Sequence, residues 1–335
     1  MPSREETIMS NLLTIVEAVN LALRSEMQKD PSVVVLGEDV GVNGGVFRAT
    51  VGLREEFGIK RVLDTPLAET MIAGLSVGMA AQGLKPVAEI QFMGFIFPAM
   101  EHLIAHAARL RHRTRGRLHC PMVLRVPFGG GIHAPEHHSE STEVLFAHTP
   151  GLRVVIPSSP ARAYGLLLAA IRNPDPVIFM EPKRIYRLNA QPVDDTGIAL
   201  PLDSCYTLRE GSDITLISWG AMIKETLEAA DKLAERTISC EVIDLVTLNP
   251  IDHKTILASV AKTGRCVIIH ESPKSCAVGA EISATIAERG LLNLQAPVSR
   301  VTGYDTVMPY YQMENHYMPN TADIIEAVTS TLEFS

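Results

Sequence analysis

Short apolar runs alternate along the chain with longer segments in which hydrophobic residues recur at helical spacing. Runs such as VVVL and RVVIP are apolar at successive positions, which suits strands that are buried on both faces of a sheet. This alternation predicts a mostly parallel sheet with helices on both faces, that is, a doubly wound α/β fold. In the first half of the chain, strands are predicted at residues 33–36, 61–63, 86–90, 122–126, 153–156 and 177–180, and helices at 14–29, 66–82, 97–113 and 160–171.

The rhythm is interrupted at residues 187–211, where no hydrophobic period is sustained, and we interpret this segment as a surface linker. Beyond it, strand-like runs resume as ITLISWG, CEVIDLVTL, CVIIHE and VSRVTG, with helices predicted near 222–236 and 279–288. The pattern therefore predicts two α/β domains, at residues 10–186 and 212–335. A chain of 335 residues is long enough for both.

Composition narrows the classes of function. The net charge of −8 argues against a general nucleic-acid binder, and no continuous apolar run is long enough to cross a bilayer. The N-terminal residues include acids where a signal peptide has a basic region, and the five cysteines are scattered without a CxxC spacing. These features predict a cytoplasmic protein with reduced thiols and without a nucleic-acid or membrane partner.

Glu69 is followed by a segment rich in Ala, Gly and Met that carries no further charge before Lys85. Because small residues let other backbones approach closely, this segment is expected to be buried on every side. The carboxyl group at its head would then lose solvation and favour its protonated form, as a group that exchanges protons near neutral pH requires. The structural alternative, favoured on this segment alone, is a first-turn acid with Thr65 as N-cap and Pro66 at N1.

A long glycine-rich loop at residues 127–141 directly follows a predicted strand. Residues 129–134 formally match the dinucleotide fingerprint GxGxxA, but no apolar helix follows, and NAD binding is therefore rejected. The loop also holds His133, His137 and His138. A metal site would need defined geometry and usually a further ligand, and it is disfavoured. An imidazole acting as general acid or base and a histidine that only decorates the surface remain open as interpretations.

Aromatic and acidic side chains follow two further strand ends. Phe92, Phe95 and Phe97 come after the strand that ends near residue 90, where core packing is the first interpretation and stacking on a flat cofactor ring the second. Glu38 and Asp39 follow the strand at 33–36, either as loop-capping residues or as polar partners of a site. The sequence contains no P-loop and no GDG motif followed by Asn, so this chain alone offers no recognisable site for a diphosphate with Mg²⁺.

Longer segments carry a family resemblance. VVVLGEDVGVNGGVFRAT, RVLDTPLAE, GLKPVAEIQFMGF, PFGGGIHAPEHHSES and DPVIFMEPKRIYR occur in the order found in beta subunits of thiamine diphosphate-dependent 2-oxo acid dehydrogenases. DITLISWG, CEVIDLVTLNPID, HESPKSCAVGAEI and VTGYDTVMPYYQMENHYMP continue this resemblance almost to the C-terminus. The chain most resembles bacterial pyruvate dehydrogenase beta subunits. The resemblance implies a pyrimidine-binding N-terminal domain and a C-terminal α/β domain of the transketolase type.

The resemblance also implies a cofactor site shared between chains. In this family thiamine diphosphate lies between the subunits of an α2β2 heterotetramer, and the α subunit holds the diphosphate and Mg²⁺. By resemblance, Glu69 would hydrogen-bond N1′ of the aminopyrimidine, Phe95 would stack on that ring, and Glu38 would connect to Glu69. His138, in preference to the adjacent His137, would position or protonate the lipoyl group.

A structural potassium site, made mainly by backbone carbonyls, is implied as well. The chain departs from the family pattern at Glu140, which stands for the commoner Gln, at Asn173, which stands for Asp, and at Val246, which stands for Arg. The potassium positions carried over by resemblance are Met122, Ala170, Ile171, Asn173 and Asp175.

The implied activity is oxidative decarboxylation of a 2-oxo acid, with pyruvate expected, and acyl transfer to the lipoyl-lysine of a dihydrolipoyl acyltransferase. The C-terminal domain would form the β–β contact and dock the acyltransferase core. Branched-chain 2-oxo acids and acetoin are the alternative substrates within the family. An alternative of a different class is a non-catalytic chain that only docks the acyltransferase, and the retained site residues argue against it.

Overall fold

Parallel strands form the centre of both halves of the chain, and helices cover them. The computed structural model describes residues 11–188 and 190–334. In the N-terminal sheet, successive strand residues point to opposite faces, and each face has its own apolar cluster. Leu36 and Leu124 belong to one cluster, whereas Val35 and Val123 belong to the other. Burial on both sides explains why these strands are apolar at successive positions.

The elements before residue 189 follow the predicted strand–helix alternation. They are β1 (Asn11–Leu13), α1 (Ile15–Lys29), β2 (Val33–Gly37), α2 (Leu53–Phe57), β3 (Val62–Asp64), α3 (Glu69–Ala81), β4 (Lys85–Glu89), α4 (Leu110–Arg113), β5 (Val123–Phe128), α5 (Glu143–Ala147), β6 (Arg153–Val155), α6 (Pro160–Arg172) and β7 (Val177–Pro182).

The elements after residue 189 form the second half of the alternation. They are β8 (Gln191–Val193), β9 (Tyr206–Arg209), β10 (Ile214–Ser218), α7 (Met222–Ala234), β11 (Cys240–Asp244), β12 (Thr247–Asn249), α8 (His253–Thr263), β13 (Cys266–Pro273), α9 (Val278–Gly290), β14 (Ser299–Gly303), α10 (Tyr311–Tyr317) and α11 (Thr321–Leu332).

The larger sheet has seven strands in the order β12-β6-β7-β5-β4-β2-β3. All neighbouring pairs are parallel except β12 and β6, which are antiparallel. The prediction of a doubly wound, mostly parallel sheet is therefore confirmed. The sequence pattern did not show that β12, from the second half of the chain, completes the sheet of the first half.

The smaller sheet has five strands in the order β14-β13-β10-β11-β9, with β9 antiparallel to β11. The segment predicted as a linker, 187–211, therefore contributes β9 to this sheet, and it also contains β8, which pairs with β1. Strands of three or four residues are too short to show a sustained hydrophobic period, which is why the pattern missed them.

Two predicted helices of the first half differ from those in the structure. The helix predicted at 66–82 begins at Glu69 with Ala68 as its N-cap, so the predicted cap at Thr65 is wrong. The helix predicted at 97–113 is instead a series of short helical turns that contains a π-helical segment, Glu101–His106, and ends in α4. None of the helices within the described residues is long and apolar enough to cross a membrane.

Helix α3 is buried on one face only, so the expectation that it is buried on every side is wrong for this chain by itself. Ile72, Ala73 and Ser76 are buried, whereas Met71 and Leu75 are 40% and 42% exposed. The exposed side chains form an apolar strip immediately after Glu69.

Candidate functional site

The carboxyl ends of strands β2, β3 and β4 meet at one edge of the larger sheet. Gly37 pairs in register with Asp64 and Glu89, and the Thr65 N–H donates to the Gly37 carbonyl at 2.9 Å. This bond continues the link between β2 and β3 by one residue, so Thr65 lies at the strand end, four residues before the first residue of α3. Among the described residues its hydroxyl has no hydrogen-bond partner, so it does not cap the helix. The loop after β2 and the start of α3 are thereby held side by side.

Glu38 and Glu69 come together at this edge. Burial, followed by the negative charges of Asp39 and Glu69, raises the pKa of Glu38. Glu69 itself is half-buried as the first residue of α3. The two carboxyl groups are close enough for the charge of Glu69 to act on Glu38, and the predicted connection between them stays a prediction.

Asp64 fixes the loop that carries Glu38, a role that sequence patterns did not indicate. Its carboxylate accepts the backbone N–H groups of Gly41 at 2.5 Å and Val42 at 3.3 Å, and it pairs with Arg54. These contacts hold the loop after β2 against the end of β3.

An aromatic cluster lies beside the glycine-rich loop. Phe95 ends a short helical turn, and its ring centroid is 5.8 Å from that of Phe92 in an edge-to-face arrangement. The rings of His137 and His138 approach Phe95 at 5.3 and 5.2 Å, and His138 also contacts Phe92 at 4.5 Å. The structure therefore brings Phe95 and His138 together.

His138 differs from its neighbour in its surroundings. His138 is half-buried, whereas His137 is exposed. Within the part of the chain that the structure describes, Nδ1 of His138 is buried and has no hydrogen-bond partner. A buried nitrogen without a partner costs free energy unless another molecule satisfies it. Burial, and then the positive charges of Lys183 and His137, lower the pKa of His138, while Glu136 opposes them.

The glycine-rich loop is held by carboxylates of the second half of the chain. The two oxygens of Glu314 accept the N–H groups of Gly131 at 2.5 Å and His133 at 2.9 Å. Glu271 accepts the Ser141 hydroxyl at 2.6 Å. Backbone N–H groups that a dinucleotide-binding loop would direct at phosphate are thus engaged by the protein itself. Partners so distant along the chain leave no local sequence signal.

A buried ion-pair network underlies the site. Arg125 on β5 donates to Glu89 on β4 at 2.8 Å and to Glu181 on β7 at 2.7 and 2.9 Å. Tyr186 donates to Glu181. Although burial opposes it, the charges of Glu181 and Glu89 raise the pKa of Arg125. Sequence reasoning missed this network, and the available signal was a charged residue inside each of the apolar strands VLRVPF and VIFMEP.

The proposed potassium positions lie at the opposite edge of the sheet, where β5 and β7 begin. The Met122 carbonyl accepts from Val177 at 3.0 Å, and the Ala170 carbonyl, at the end of α6, accepts from Asn173 at 3.2 Å. A carbonyl oxygen that accepts one hydrogen bond keeps a second lone pair, and a helix C-terminus favours a cation, but the potassium site itself stays a prediction. The Asp175 carboxylate is engaged by Arg111 at 2.6 Å. Ile171 is buried in the last turn of α6.

The side chains at this end of the sheet indicate what kind of ligand the site suits. Glu38, Glu69, Phe95 and the unpartnered His138 nitrogen suit a nitrogen-containing aromatic ring. Among the described residues, no group of three or more His, Cys, Asp or Glu side chains could hold a metal ion. That these residues hold the pyrimidine end of a thiamine cofactor stays a prediction of the family resemblance.

Comparison with known proteins connects this geometry to a family. The transketolase pyrimidine binding domain family matches residues 12–189, and the transketolase C-terminal domain family matches residues 203–324. The chain is 48% identical over 322 residues to the pyruvate dehydrogenase E1 component subunit beta of Staphylococcus epidermidis, covering 96% of this chain and 99% of that protein. The corresponding subunit of Bacillus subtilis is 48% identical with the same coverage, and that of Staphylococcus aureus strain Mu50 is 47% identical.

A solved structure supports the fold independently. A split-gene transketolase, described as an inactive beta4 tetramer, superposes with a TM-score of 0.79 at 22% identity and covers 97% of this chain and 99% of its own. At that identity the likeness shows that the two chains share a fold.

Proposed function

The chain belongs to the family of pyruvate dehydrogenase E1 component beta subunits, and on that premise we propose that it supplies the pyrimidine-binding half of a thiamine diphosphate site that decarboxylates pyruvate. The two-carbon group left after loss of CO₂ is oxidised to acetyl as it passes to the lipoyl-lysine of a dihydrolipoyl acetyltransferase, whose lipoyl disulfide takes up the two electrons. The observation that carries this proposal is the convergence of Glu38 and Glu69 at one end of the sheet, beside the contact between Phe95 and His138.

Within this site Glu69 would hold the proton at N1′ of a bound aminopyrimidine, and Glu38 would act on the Glu69 carboxyl group through its charge. The thiamine cofactor, when bound, supplies the nucleophilic carbon and the electron sink for loss of CO₂. Phe95 orients the pyrimidine ring by stacking. His138, whose buried Nδ1 has no hydrogen-bond partner among the described residues, would position or protonate the lipoyl sulfur.

We expect the α subunit of an α2β2 heterotetramer to complete the site. It would hold the diphosphate and Mg²⁺, for which this chain has no recognisable binding motif, and cover the apolar strip beside Glu69. Leu67, at 73% exposure, extends that strip together with Met71 and Leu75. An exposed apolar patch that adjoins a catalytic group is typical of a surface buried on assembly.

Three further parts of the proposal follow the family resemblance. The C-terminal domain docks the acyltransferase core. A potassium ion stabilises the edge formed by Met122, Ala170, Ile171, Asn173 and Asp175. The protein works in the cytoplasm, and the free state of its five cysteines agrees with a reducing compartment.

Co-expression with the α subunit tests the function. The purified complex is assayed with three substrates: pyruvate, 3-methyl-2-oxobutanoate and acetoin. Each is tested with two acceptors, an artificial electron acceptor and a lipoyl domain. We expect pyruvate to give the highest kcat/KM. Preference for 3-methyl-2-oxobutanoate would assign the chain to a branched-chain 2-oxo acid dehydrogenase, and preference for acetoin to an acetoin dehydrogenase. A complex inactive toward all three substrates would favour a non-catalytic chain that only docks the acyltransferase.

A further inference from the structure

Lys183 is a buried lysine that the proposed chemistry does not use. It is the first residue of the turn Lys183–Ile185, directly after β7, and only 4% of its surface is exposed. Its Nζ donates to the backbone carbonyl of His138 at 2.5 Å. The same nitrogen lies 5.5 Å from the ring centroid of Phe92, within the range of a cation–π interaction.

These contacts join two turns from different strand ends. The turn Glu136–His138 follows β5, and the turn Met93–Phe95 follows β4. The two turns touch closely at Gly94, where an added Cβ atom would collide with the His137 carbonyl. Lys183, at the end of a third strand, β7, links the two turns, because its ammonium group contacts both the His138 carbonyl and the Phe92 ring.

The charge environment explains why a buried ammonium group is tolerated there. Burial lowers the pKa of Lys183 to about 8, while the carboxylates of Glu271, Glu314 and Glu140 oppose that shift. Lys183 is therefore mainly protonated at neutral pH. Two of these carboxylates, Glu271 and Glu314, also hold the glycine-rich loop, so the same charges fix the loop and balance the lysine.

We propose that Lys183 is a positioning residue for acyl transfer, whose ammonium group fixes the turn that carries His138 against Phe92 and Phe95. This inference rests on the function proposed above for His138. The ammonium also acts through its charge, because it faces His138 together with His137 and Glu136, and it disfavours the imidazolium form. On this inference His138 positions the acceptor in its neutral form, which has one N–H donor and one lone pair, and does not act as an imidazolium acid.

The test uses the assembled α–β complex and two readouts. In the first assay pyruvate is decarboxylated and the electrons pass to an artificial acceptor, so the rate reports on the thiamine site. In the second assay a lipoyl domain is acetylated, so the rate reports on the step assigned to His138. We expect Lys183→Met to lower lipoyl acetylation by about 10- to 100-fold, the scale of loss when a reacting group is misplaced by about 1 Å, and to lower the artificial reaction much less. Lys183→Arg, which keeps the charge, should restore part of the loss.

The pH profile separates positioning from a general loss of structure. Removing the cation in Lys183→Met should move the acidic limb of lipoyl acetylation to higher pH, because His138 then protonates more readily. Lys183→Gln keeps an N–H donor without the charge and should show the same displacement with a smaller loss of rate. It also serves as the test if Lys183→Met does not assemble. Lys224→Met on α7, where the lysine is exposed and paired with Glu228, is the matched control.

Two results would overturn the inference alone: an active wild-type complex whose Lys183 variants behave as wild type, or equal loss in both assays without displacement of the acidic limb. A wild-type complex inactive toward both acceptors would overturn the proposed function, and the inference with it.

Discussion

Glu69 and Glu38 illustrate how much of the site individual residues disclose. The position of Glu69 before an uncharged segment singled it out, yet the same pattern equally describes a structural first-turn acid. The catalytic interpretation came from the family resemblance, and the structure adds that Glu38, at the neighbouring strand end, lies within reach of the charge of Glu69. Lys183, Glu271 and Glu314 gave no comparable local signal, since their partners lie on other elements.

Glu69→Gln tests the central carboxyl group. The amide is nearly isosteric but cannot hold or release the proton at N1′, so kcat should fall by at least about 10²-fold, the lower range for loss of a general acid–base group. Single-turnover decarboxylation of pyruvate by the α–β complex measures the effect. Size-exclusion chromatography should show unchanged assembly. The exposed Glu235→Gln serves as control, and normal turnover in Glu69→Gln would contradict the assignment.

His138→Ala should separate the two half-reactions. Because the proposed role of His138 is to position or protonate the lipoyl group, acetylation of the lipoyl domain should fall by about 10²-fold or more. Decarboxylation to the artificial acceptor should fall far less. Both rates are measured on the same preparation, beside His137→Ala. Equal losses in the two assays, or a larger effect of His137→Ala, would transfer the role away from His138.

At the scale of elements, strands were predicted better than helix boundaries. Strands β2, β4, β5 and β7 have apolar residues on both faces, and this pattern is local and strong. Helix α3 begins at Glu69, later than predicted, and the Thr65 N–H before it bonds to the Gly37 carbonyl at the end of the neighbouring strand. Such a bond is tertiary, and residue propensities cannot disclose it.

The Arg125 network links β4, β5 and β7 beneath the site. In Arg125→Met, the carboxylates of Glu89 and Glu181 would remain buried without a cation, and the free energy of unfolding should fall by about 3–5 kcal/mol. Urea denaturation measures this change. Arg24→Met removes an exposed ion pair with Glu56 and should cost no more than about 1 kcal/mol. Comparable destabilisation by both changes would refute a special role for the network.

At the scale of the whole molecule, the two halves of the chain meet through buried polar groups. Glu143, at the start of α5, accepts the Ser272 hydroxyl at 2.8 Å, and the same hydroxyl lies 2.9 Å from Nδ1 of His270. Burial raises the pKa of Glu143 to about 7. It lowers that of His270 to about 4. The contact therefore joins an acid and a base that both favour their uncharged forms.

This contact predicts a pH dependence of stability. Between about pH 4.5 and pH 7 the folded chain binds a proton at Glu143 that the unfolded chain releases, so the free energy of unfolding falls as the pH rises across this range and levels off above about 7. Glu143→Gln removes that dependence. Relative to wild type, the variant should gain up to about 3 kcal/mol between pH 5 and pH 8, measured by urea denaturation. The contribution of His270 cancels in this comparison, and a constant difference across the range would contradict the shift.

The pairing of β12 with β6 affects where the chain can be cut to obtain the first domain alone. The family boundaries suggest a first domain that ends near residue 189, yet β12 bonds to β6, and the Ile156 N–H donates to the Val246 carbonyl at 2.7 Å. A fragment cut before residue 200 would leave β6 as an open template for strands of other molecules. We expect such a fragment to aggregate on size-exclusion chromatography, whereas a tethered β12 peptide should keep it monomeric. By pairing with β6, strand β12 of the second domain thus prevents the first domain from associating with other copies through that strand.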